Sequence, residues 1–136
     1  MLTRRHVLSG VVLGAGALAL AALAAAPAAQ AASQAYSQQA FEAAQAAGKP
    51  ILLDVFAPWC PTCKAQAPIL AKLQSQPKFK NLVMMKIDFD SQKDLLRKLN
   101  VRQQSTLIVY KGSKEVGRSV GDTNAASIEA LAAKAL

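Results

Sequence analysis

The strongest constraint on the fold is an alternation of short apolar segments with segments of helical periodicity. Three segments have the length and apolar character of strands, namely 51–56, 82–89 and 106–110, and the segment 115–120 is predicted as a fourth strand that forms a hairpin with 106–110. Four segments are patterned as helices, namely 33–47, 61–76, 92–99 and a last helix that follows the capping residues 122–124. Strands separated by helices pair in parallel, and the Gly-Ser turn between the last two strands adds an antiparallel pair. We therefore predict an α/β fold, with helices on both faces of a central mixed sheet.

The N-terminal region has the three parts of a secretory signal peptide. Arg4-Arg5 forms a basic head, residues 7–26 carry no charge, and Ala29-Gln30-Ala31 is a small-x-small cleavage site. We expect residues 1–31 to be removed near Ala31, which leaves one domain, 32–136, in the periplasm. The stretch Thr3–Leu8 resembles the twin-arginine export signal. The apolar run is also long enough to span a bilayer, so an uncleaved anchor in the inner membrane, with the domain facing the periplasm, is the alternative.

Charge and histidine content exclude several functions. Without Arg4 and Arg5, 14 basic residues remain against 8 acidic ones, a net charge of +6. The basic residues are scattered and no stretch combines them with aromatic residues, so we expect no nucleic-acid partner. The only histidine is His6, within the predicted signal peptide. The domain therefore lacks the imidazole of Ser-His-Asp and Cys-His catalysis and of histidine metal sites.

The only two cysteines, Cys60 and Cys63, lie where the strand 51–56 leads into the next helix. Unpaired backbone N–H groups and the helix dipole stabilise a thiolate there, and the thiolate is the attacking species in disulfide exchange. Cys63, one turn later, is placed to resolve a mixed disulfide, and Pro61 suits the first helical position. The alternatives are a structural disulfide and a metal or iron–sulfur site in which two chains share Cys60 and Cys63.

The segment Trp59–Lys64 resembles the Trp-Cys-x-x-Cys-Lys active site of the thioredoxin family, and the resemblance covers nearly all of residues 36–136. Asp54 stands where thioredoxins keep a buried aspartate, and Pro68 where they have the proline of the active-site helix. Lys86 fits the lysine that neighbours the aspartate, and Gly121 fits the glycine that closes the last strand. The resemblance implies the thioredoxin fold and thiol–disulfide oxidoreductase activity, with the redox-active disulfide as the only cofactor and no bound metal.

This resemblance assigns roles to the site. Cys60 would be the nucleophile and Cys63 the resolving thiol. The remaining predicted substrate-binding residues are Trp59, Pro61, Thr62, Gln104, Ser105 and Gly121. A carboxylate within an apolar strand is costly to ionise, so the pKa of Asp54 should be raised and Lys86 should lower it again. Asp54 would then exchange a proton with Cys63, unless it lies at an edge of the sheet. Trp59 would shield the sulfurs or simply fill the core.

Two departures from the thioredoxin pattern are evident. The dipeptide Pro61-Thr62 replaces Gly-Pro and contains no histidine, which favours a reductant or an intermediate potential over an oxidase. Ser105 stands where the family has a cis-proline. A cis bond before a non-proline residue costs roughly 2.5–4 kcal/mol, so we expect a trans Gln104–Ser105 bond, with the N–H or hydroxyl of Ser105 near Cys60.

The expected partners follow from the predicted location. They are disulfide-containing exported proteins as substrates and a membrane thiol–disulfide protein as electron donor, with the chain itself a monomer.

Overall fold

The computed structural model of the chain describes residues 33–136. The predicted signal peptide, 1–31, lies outside these residues. The described part contains nine helices and strands: β1 (Gln34–Ala35), α1 (Gln38–Ala46), β2 (Pro50–Phe56), α2 (Pro61–Ser75), β3 (Val83–Asp88), α3 (Lys93–Lys98), β4 (Thr106–Lys111), β5 (Lys114–Val120) and α4 (Ala125–Ala133). A short 3-10 turn, Pro77–Phe79, follows α2. Between residues 33 and 136 no helix has the length and apolar character needed to span a membrane.

The five strands form one mixed sheet in the order β1-β3-β2-β4-β5. The central strand β2 pairs in parallel with β3 and antiparallel with β4. All of its residues from Ile51 to Val55 are buried, which is why this strand, apart from Asp54, is apolar throughout rather than alternating. In this register Asp54 stands opposite Lys86 on one side and Leu107 on the other. Asp54 is therefore at the centre of the sheet, and the edge position considered as an alternative is wrong.

Helices cover both faces of the sheet, as predicted. On one face α2 and α4 pack through Leu73 and Ile128 against Leu52 of β2. On the other face α1 and α3 pack through Phe41 and Leu96 against alternate residues of the same strands. Side chains of successive strand residues point to opposite faces, so each strand contributes to both cores. The predicted α/β architecture is confirmed.

The N-terminal helix prediction, 33–47, is partly wrong. Residues Gln34–Ala35 form the edge strand β1, paired in parallel with Met85 and Lys86 of β3. The helix begins only after Ser37, whose Oγ accepts a hydrogen bond from the Ala40 N–H at 3.1 Å. Ala47 is the C-cap of this helix and is exposed. Two strand residues are too few for a period-two pattern, so the strand exists because β3 offers an open edge beside it.

Three of the helices begin or end at residues whose chemistry favours a helix terminus. Gly48, with φ +66°, ends α1, and Pro61 occupies the first turn of α2. Pro68 lies inside α2 as expected. The Asn124 side chain caps α4 by accepting a hydrogen bond from the Ser127 N–H at 3.0 Å. Helix α2 begins at Pro61, shortly after β2 ends at Phe56, so the two cysteines lie at the carboxyl end of the central strand.

Candidate active site

Cys60 and Cys63 occupy the first turn of α2. Cys60 is the N-cap, and its Sγ accepts a hydrogen bond from the Cys63 N–H at 3.1 Å. The Cys60 N–H in turn donates to the Ala57 carbonyl at 3.1 Å. Both cysteines are free thiols and both are buried, whereas Pro61 between them is exposed and Thr62 is half-buried. The helix therefore presents one sulfur to its unpaired N–H groups and keeps the other one turn behind it.

The environment of Cys63 favours the protonated thiol. Burial and, second, a hydrogen bond with Cys60 raise the pKa of Cys63 to about 11. The backbone N–H groups of Ala57 and Ser105 act in the opposite direction and lower this pKa. The thiol of Cys63 consequently keeps its proton at neutral pH in the reduced protein, and ionisation requires a nearby base or a nearby donor.

Asp54 is the buried carboxyl group of this region. It is 4% exposed, and burial raises its pKa from 3.8 to about 6, while the charge of Lys86 lowers the value. Lys86 is its neighbour across the β2–β3 pair, and its Nζ lies 4.8 Å from the centre of the Phe56 ring. Both electrostatic predictions, the raised pKa of Asp54 and the opposing effect of Lys86, are confirmed.

Trp59 stands at the surface beside the first cysteine. Its side chain is 56% exposed, and its indole N–H donates to the Asp90 carboxylate at 2.9 Å. The core-filling alternative is therefore wrong. Asp90 was not predicted, because no local pattern connects two residues that are 31 positions apart.

The loop that precedes β4 carries the unusual serine. The described residues contain no cis peptide bond, so Gln104–Ser105 is trans as expected, and Ser105 has φ +58°. Its N–H donates to the Val55 carbonyl at 2.7 Å, and its own carbonyl accepts from the Gly121 N–H at 2.9 Å. Its hydroxyl donates to the Gln104 carbonyl at 2.6 Å. Gly121 thus lies beside Ser105, at φ +70°, where glycine is favoured.

The expectation that a Ser105 donor lies near Cys60 stays a prediction, because both donors of Ser105 bond backbone carbonyls, those of Val55 and Gln104. The hydroxyl is used within the loop by the Gln104 carbonyl, and the backbone N–H acts on Cys63, whose pKa it lowers. The Ser105 N–H donates to the Val55 carbonyl, so this N–H lies at the carboxyl end of β2. Ser105 therefore belongs to the surroundings of the second sulfur.

Gln66 and Val120, which lie beside the serine loop, were not predicted either. In α2 the apolar Ala67 is exposed, whereas its polar neighbour Gln66 is buried. Gln66 follows Cys63 by three positions, a spacing that places both on one helix face. Because glutamine is polar, the apolar periodicity did not indicate that this residue is buried. Val120 is 53% exposed at the end of β5 and pairs with Thr106 beside the serine loop.

Comparisons with known proteins agree on one family. The sequence matches the family model described as Thioredoxin over residues 32–134. Thioredoxin-2 of Saccharomyces cerevisiae is 39% identical over 97 residues, which cover 71% of this chain and 91% of that protein. The thioredoxin of Chlamydia trachomatis is 38% identical over 85 residues, which cover 62% and 80% of the two chains. Among solved structures, Trxlp from Edwardsiella tarda superposes with a TM-score of 0.71 at 44% identity, covering 73% of this chain and 96% of that one.

Proposed function

The chain belongs to the thioredoxin family, and we propose that it reduces disulfides of exported proteins through a Cys60–Cys63 dithiol/disulfide couple. Thioredoxins are disulfide oxidoreductases that use a redox-active cysteine pair and no external cofactor. The observation that carries the proposal is the pair itself: two free thiols in the first turn of α2, with Cys60 Sγ 3.1 Å from the Cys63 N–H. The metal or iron–sulfur alternative finds no support in the family comparisons.

The proposed reaction has two steps. The Cys60 thiolate attacks one sulfur of the substrate disulfide, forming a mixed disulfide and releasing the first substrate thiolate. The Cys63 thiolate then attacks Cys60 Sγ, so that the Cys60–Cys63 bond forms and the second substrate thiolate leaves with the bonding pair. The substrate gains two electrons and two protons, and the protein is left as the disulfide.

Asp54 supplies the base for the second step. Burial raises the pKa of Asp54 to about 6, which is still below neutral pH, so the carboxylate form predominates there. Because its pKa is raised, this carboxylate binds a proton more readily than an exposed aspartate does. The pKa of Cys63 is raised as well, so its ionisation needs such an acceptor. We assign proton transfer from Cys63 to Asp54 through water, with Lys86 as the group that keeps the pKa of Asp54 from rising further.

The substrate would bind to the surface around the first sulfur. Trp59, Pro61 and Val120 are exposed there, and Thr62, Gln104 and Gly121 lie beside them in sequence or in the adjoining loop. The indole of Trp59, held by Asp90, gives this surface a rigid apolar element of the kind that protein interfaces favour. An extended substrate segment would pair with the backbone of the serine loop.

Export and electron supply complete the proposal. Residues 1–31 would act as a cleaved signal peptide, of the twin-arginine type by its Arg4-Arg5 pair, and the domain would work as a monomer in the periplasm. A thiol–disulfide protein in or at the membrane would return electrons to the Cys60–Cys63 disulfide. The absence of histidine between the cysteines favours a reducing or intermediate potential.

Cysteine variants test the chemistry. In an insulin-reduction assay with dithiothreitol, the purified domain should accelerate precipitation and Cys60→Ser should abolish the effect. Cys63→Ser should leave Cys60 able to form a mixed disulfide that persists, which mass spectrometry of the non-reduced protein would detect. Full activity of Cys60→Ser would contradict the assigned roles.

Export is tested separately in cells. The mature protein recovered from the envelope should begin near Ala32, as measured by mass spectrometry, and intact Met1–Leu136 in the membrane would contradict cleavage. Replacing Arg4 and Arg5 together with lysine keeps the charge and should block the twin-arginine route. Unchanged export of that variant would contradict the assignment of this route.

A further inference from the structure

Lysines that are far apart in the sequence lie together at the end of the sheet opposite the cysteines. Lys49 directly precedes β2, and Lys80 shortly precedes β3, which runs parallel to β2. These two residues line one open recess of about 490 Å³. Lys114 begins β5 and pairs with Lys111, which in turn pairs with Pro50 at the start of β2. We call Lys49, Lys80 and Lys114 the lysine end of the domain.

The charges of the lysine end are not neutralised by neighbouring side chains. All three lysines are exposed, and their ammonium groups form no ion pair within residues 33–136. Glu115, the acidic residue next to Lys114, has both carboxylate oxygens bonded by Arg118. Lys111 is not counted with the three, because its Nζ donates to the Leu136 carbonyl at 2.7 Å. The lysine end therefore presents three positive charges to the solvent.

Acidic residues are concentrated at the other end of the sheet. Strands β3 and β5 run in the same direction as β2, so their carboxyl ends lie beside the cysteines. Four of the eight acidic residues of the chain lie at this cysteine end, namely Asp54, Asp88, Asp90 and Asp122. They balance basic residues such as Lys86, which pairs with Asp54. A negatively charged surface therefore attracts the lysine end more strongly than the cysteine end.

The chain also enters the described domain from the lysine end. Strand β1 runs parallel to β3, with Gln34 beside Met85, so its amino end points in the same direction as the amino ends of β2 and β3. The segment before residue 33 contains the uncharged run 7–26. If this run stays in the inner membrane, as in the anchored alternative, the lysine end is the end of the domain that faces the bilayer.

The chemistry of the lysine end fits lipid better than protein. Protein interfaces are enriched in aromatic residues, but the only exposed aromatic residue between 33 and 136 is Trp59, at the cysteine end. A lysine is a flexible point charge that needs no fixed geometry in its partner. Phospholipid head groups offer negative charge without a shaped pocket, so they match three exposed lysines beside an open recess.

We propose that the lysine end binds the anionic phospholipid surface of a membrane and that the cysteines of the bound protein point away from the lipid. Each lysine close to an anionic membrane strengthens binding about fivefold, so three together contribute about a hundredfold. Binding of this strength is reversible and leaves the cysteine end free for disulfide-containing proteins. The inference goes beyond the proposed thiol chemistry, and the proposed periplasmic location only names the membrane that the protein meets.

Vesicle binding tests the proposal with the mature chain, residues 32–136, which contains the whole sheet and the helices on both faces. Cosedimentation would compare vesicles of phosphatidylglycerol and phosphatidylcholine in equal amounts with vesicles of phosphatidylcholine alone. We expect binding to the anionic vesicles only, and weaker binding as salt is added. The triple variant Lys49→Gln, Lys80→Gln, Lys114→Gln should bind about a hundredfold more weakly than wild type.

The matched control removes the same charge from another part of the surface. It combines Lys93→Gln, Lys98→Gln and Arg102→Gln, three exposed residues on α3 or shortly after it. Because salt screens charges that lie beyond about 10 Å from the lipid, this variant should bind within about threefold of wild type. Circular dichroism and insulin reduction by both triple variants would show that each remains folded.

Trp59 reports the orientation of the bound protein, because it is the only tryptophan in the chain. It lies beside Cys60, so vesicles that carry a nitroxide on the lipid head group should leave its fluorescence unchanged. A second protein combines Trp59→Phe with Ser113→Trp, which moves the fluorophore to the turn beside Lys114. The same vesicles should quench the fluorescence of this second protein.

Four outcomes would overturn the inference. They are equal binding to both kinds of vesicle, full binding by the lysine-end variant, an equal loss in the control variant, and quenching of Trp59 without quenching at position 113. Absence of binding to anionic vesicles at low salt would also overturn it and would favour an acidic protein as the partner. A wild-type protein that binds these vesicles but does not reduce insulin would instead overturn the proposed function, so the two failures are distinguishable.

Discussion

Replacing the buried aspartate with its neutral isostere should stabilise the protein at neutral pH. Asp54 is 4% exposed at the centre of the sheet, and burial raises its pKa from 3.8 to about 6. Between these values the folded protein binds a proton that the unfolded chain does not bind. The free energy of unfolding therefore falls as the pH rises across this interval and stays constant above it. The Asp54→Asn variant lacks the titrating group and should show no such fall.

The size of the effect follows from the pKa. At about 1.4 kcal/mol per pKa unit, the difference between 3.8 and about 6 corresponds to about 3 kcal/mol of lost stability in the wild type at neutral pH. The amide that the substitution introduces must itself find partners in a buried site, which offsets about 1 kcal/mol. We expect Asp54→Asn to be about 2 kcal/mol more stable than wild type at neutral pH. For a domain of this size, this equals a melting temperature higher by roughly 10 °C.

Urea unfolding under reducing conditions, followed by far-ultraviolet circular dichroism from about pH 4 to pH 8, would measure this difference. The difference in the free energy of unfolding between wild type and variant should grow as the pH rises towards 6 and disappear as the pH falls towards 4. Asp94→Asn is the control, since that carboxylate is 84% exposed on α3, and its stability should stay within about 0.5 kcal/mol of wild type. A gap between Asp54→Asn and wild type that is independent of pH would refute the reasoning.

Two further substitutions test the neighbours of this site. Lys86→Met removes the charge that lowers the pKa of Asp54, so carboxyl NMR should show Asp54 titrating above about 6, and an unchanged titration would contradict the assigned role of Lys86. Ser105→Pro removes the N–H that bonds Val55, and proline cannot adopt φ +58°. We expect the free energy of unfolding, measured in urea, to fall by about 2–4 kcal/mol. Ser105→Gly should stay within about 1 kcal/mol of wild type, and equal stability of the two variants would show that the loop rebuilds around proline.

The local pattern of the sequence was sufficient for most of the architecture. Segments such as 51–56 and 61–76 were predicted because burial imposes a periodicity that is visible in a single chain. The position of Cys60 and Cys63 at a strand-to-helix junction was equally local, since Pro61 and the preceding strand mark the boundary. The raised pKa of Asp54 followed from a carboxyl group inside an apolar run, which requires no knowledge of the fold beyond burial.

Contacts between distant parts of the chain decided the rest. Strand β1 exists because β3 has a free edge, and the exposed indole N–H of Trp59 donates to Asp90, 31 residues later. Gln66 is buried because two carbonyls from separate loops use both of its amide hydrogens. The orientation of the Ser105 peptide groups is set by hydrogen bonds with Val55 and Gly121. Each of these outcomes depends on hydrogen bonds whose partners are brought together only when the sheet and helices assemble, so no periodicity within one segment contains them.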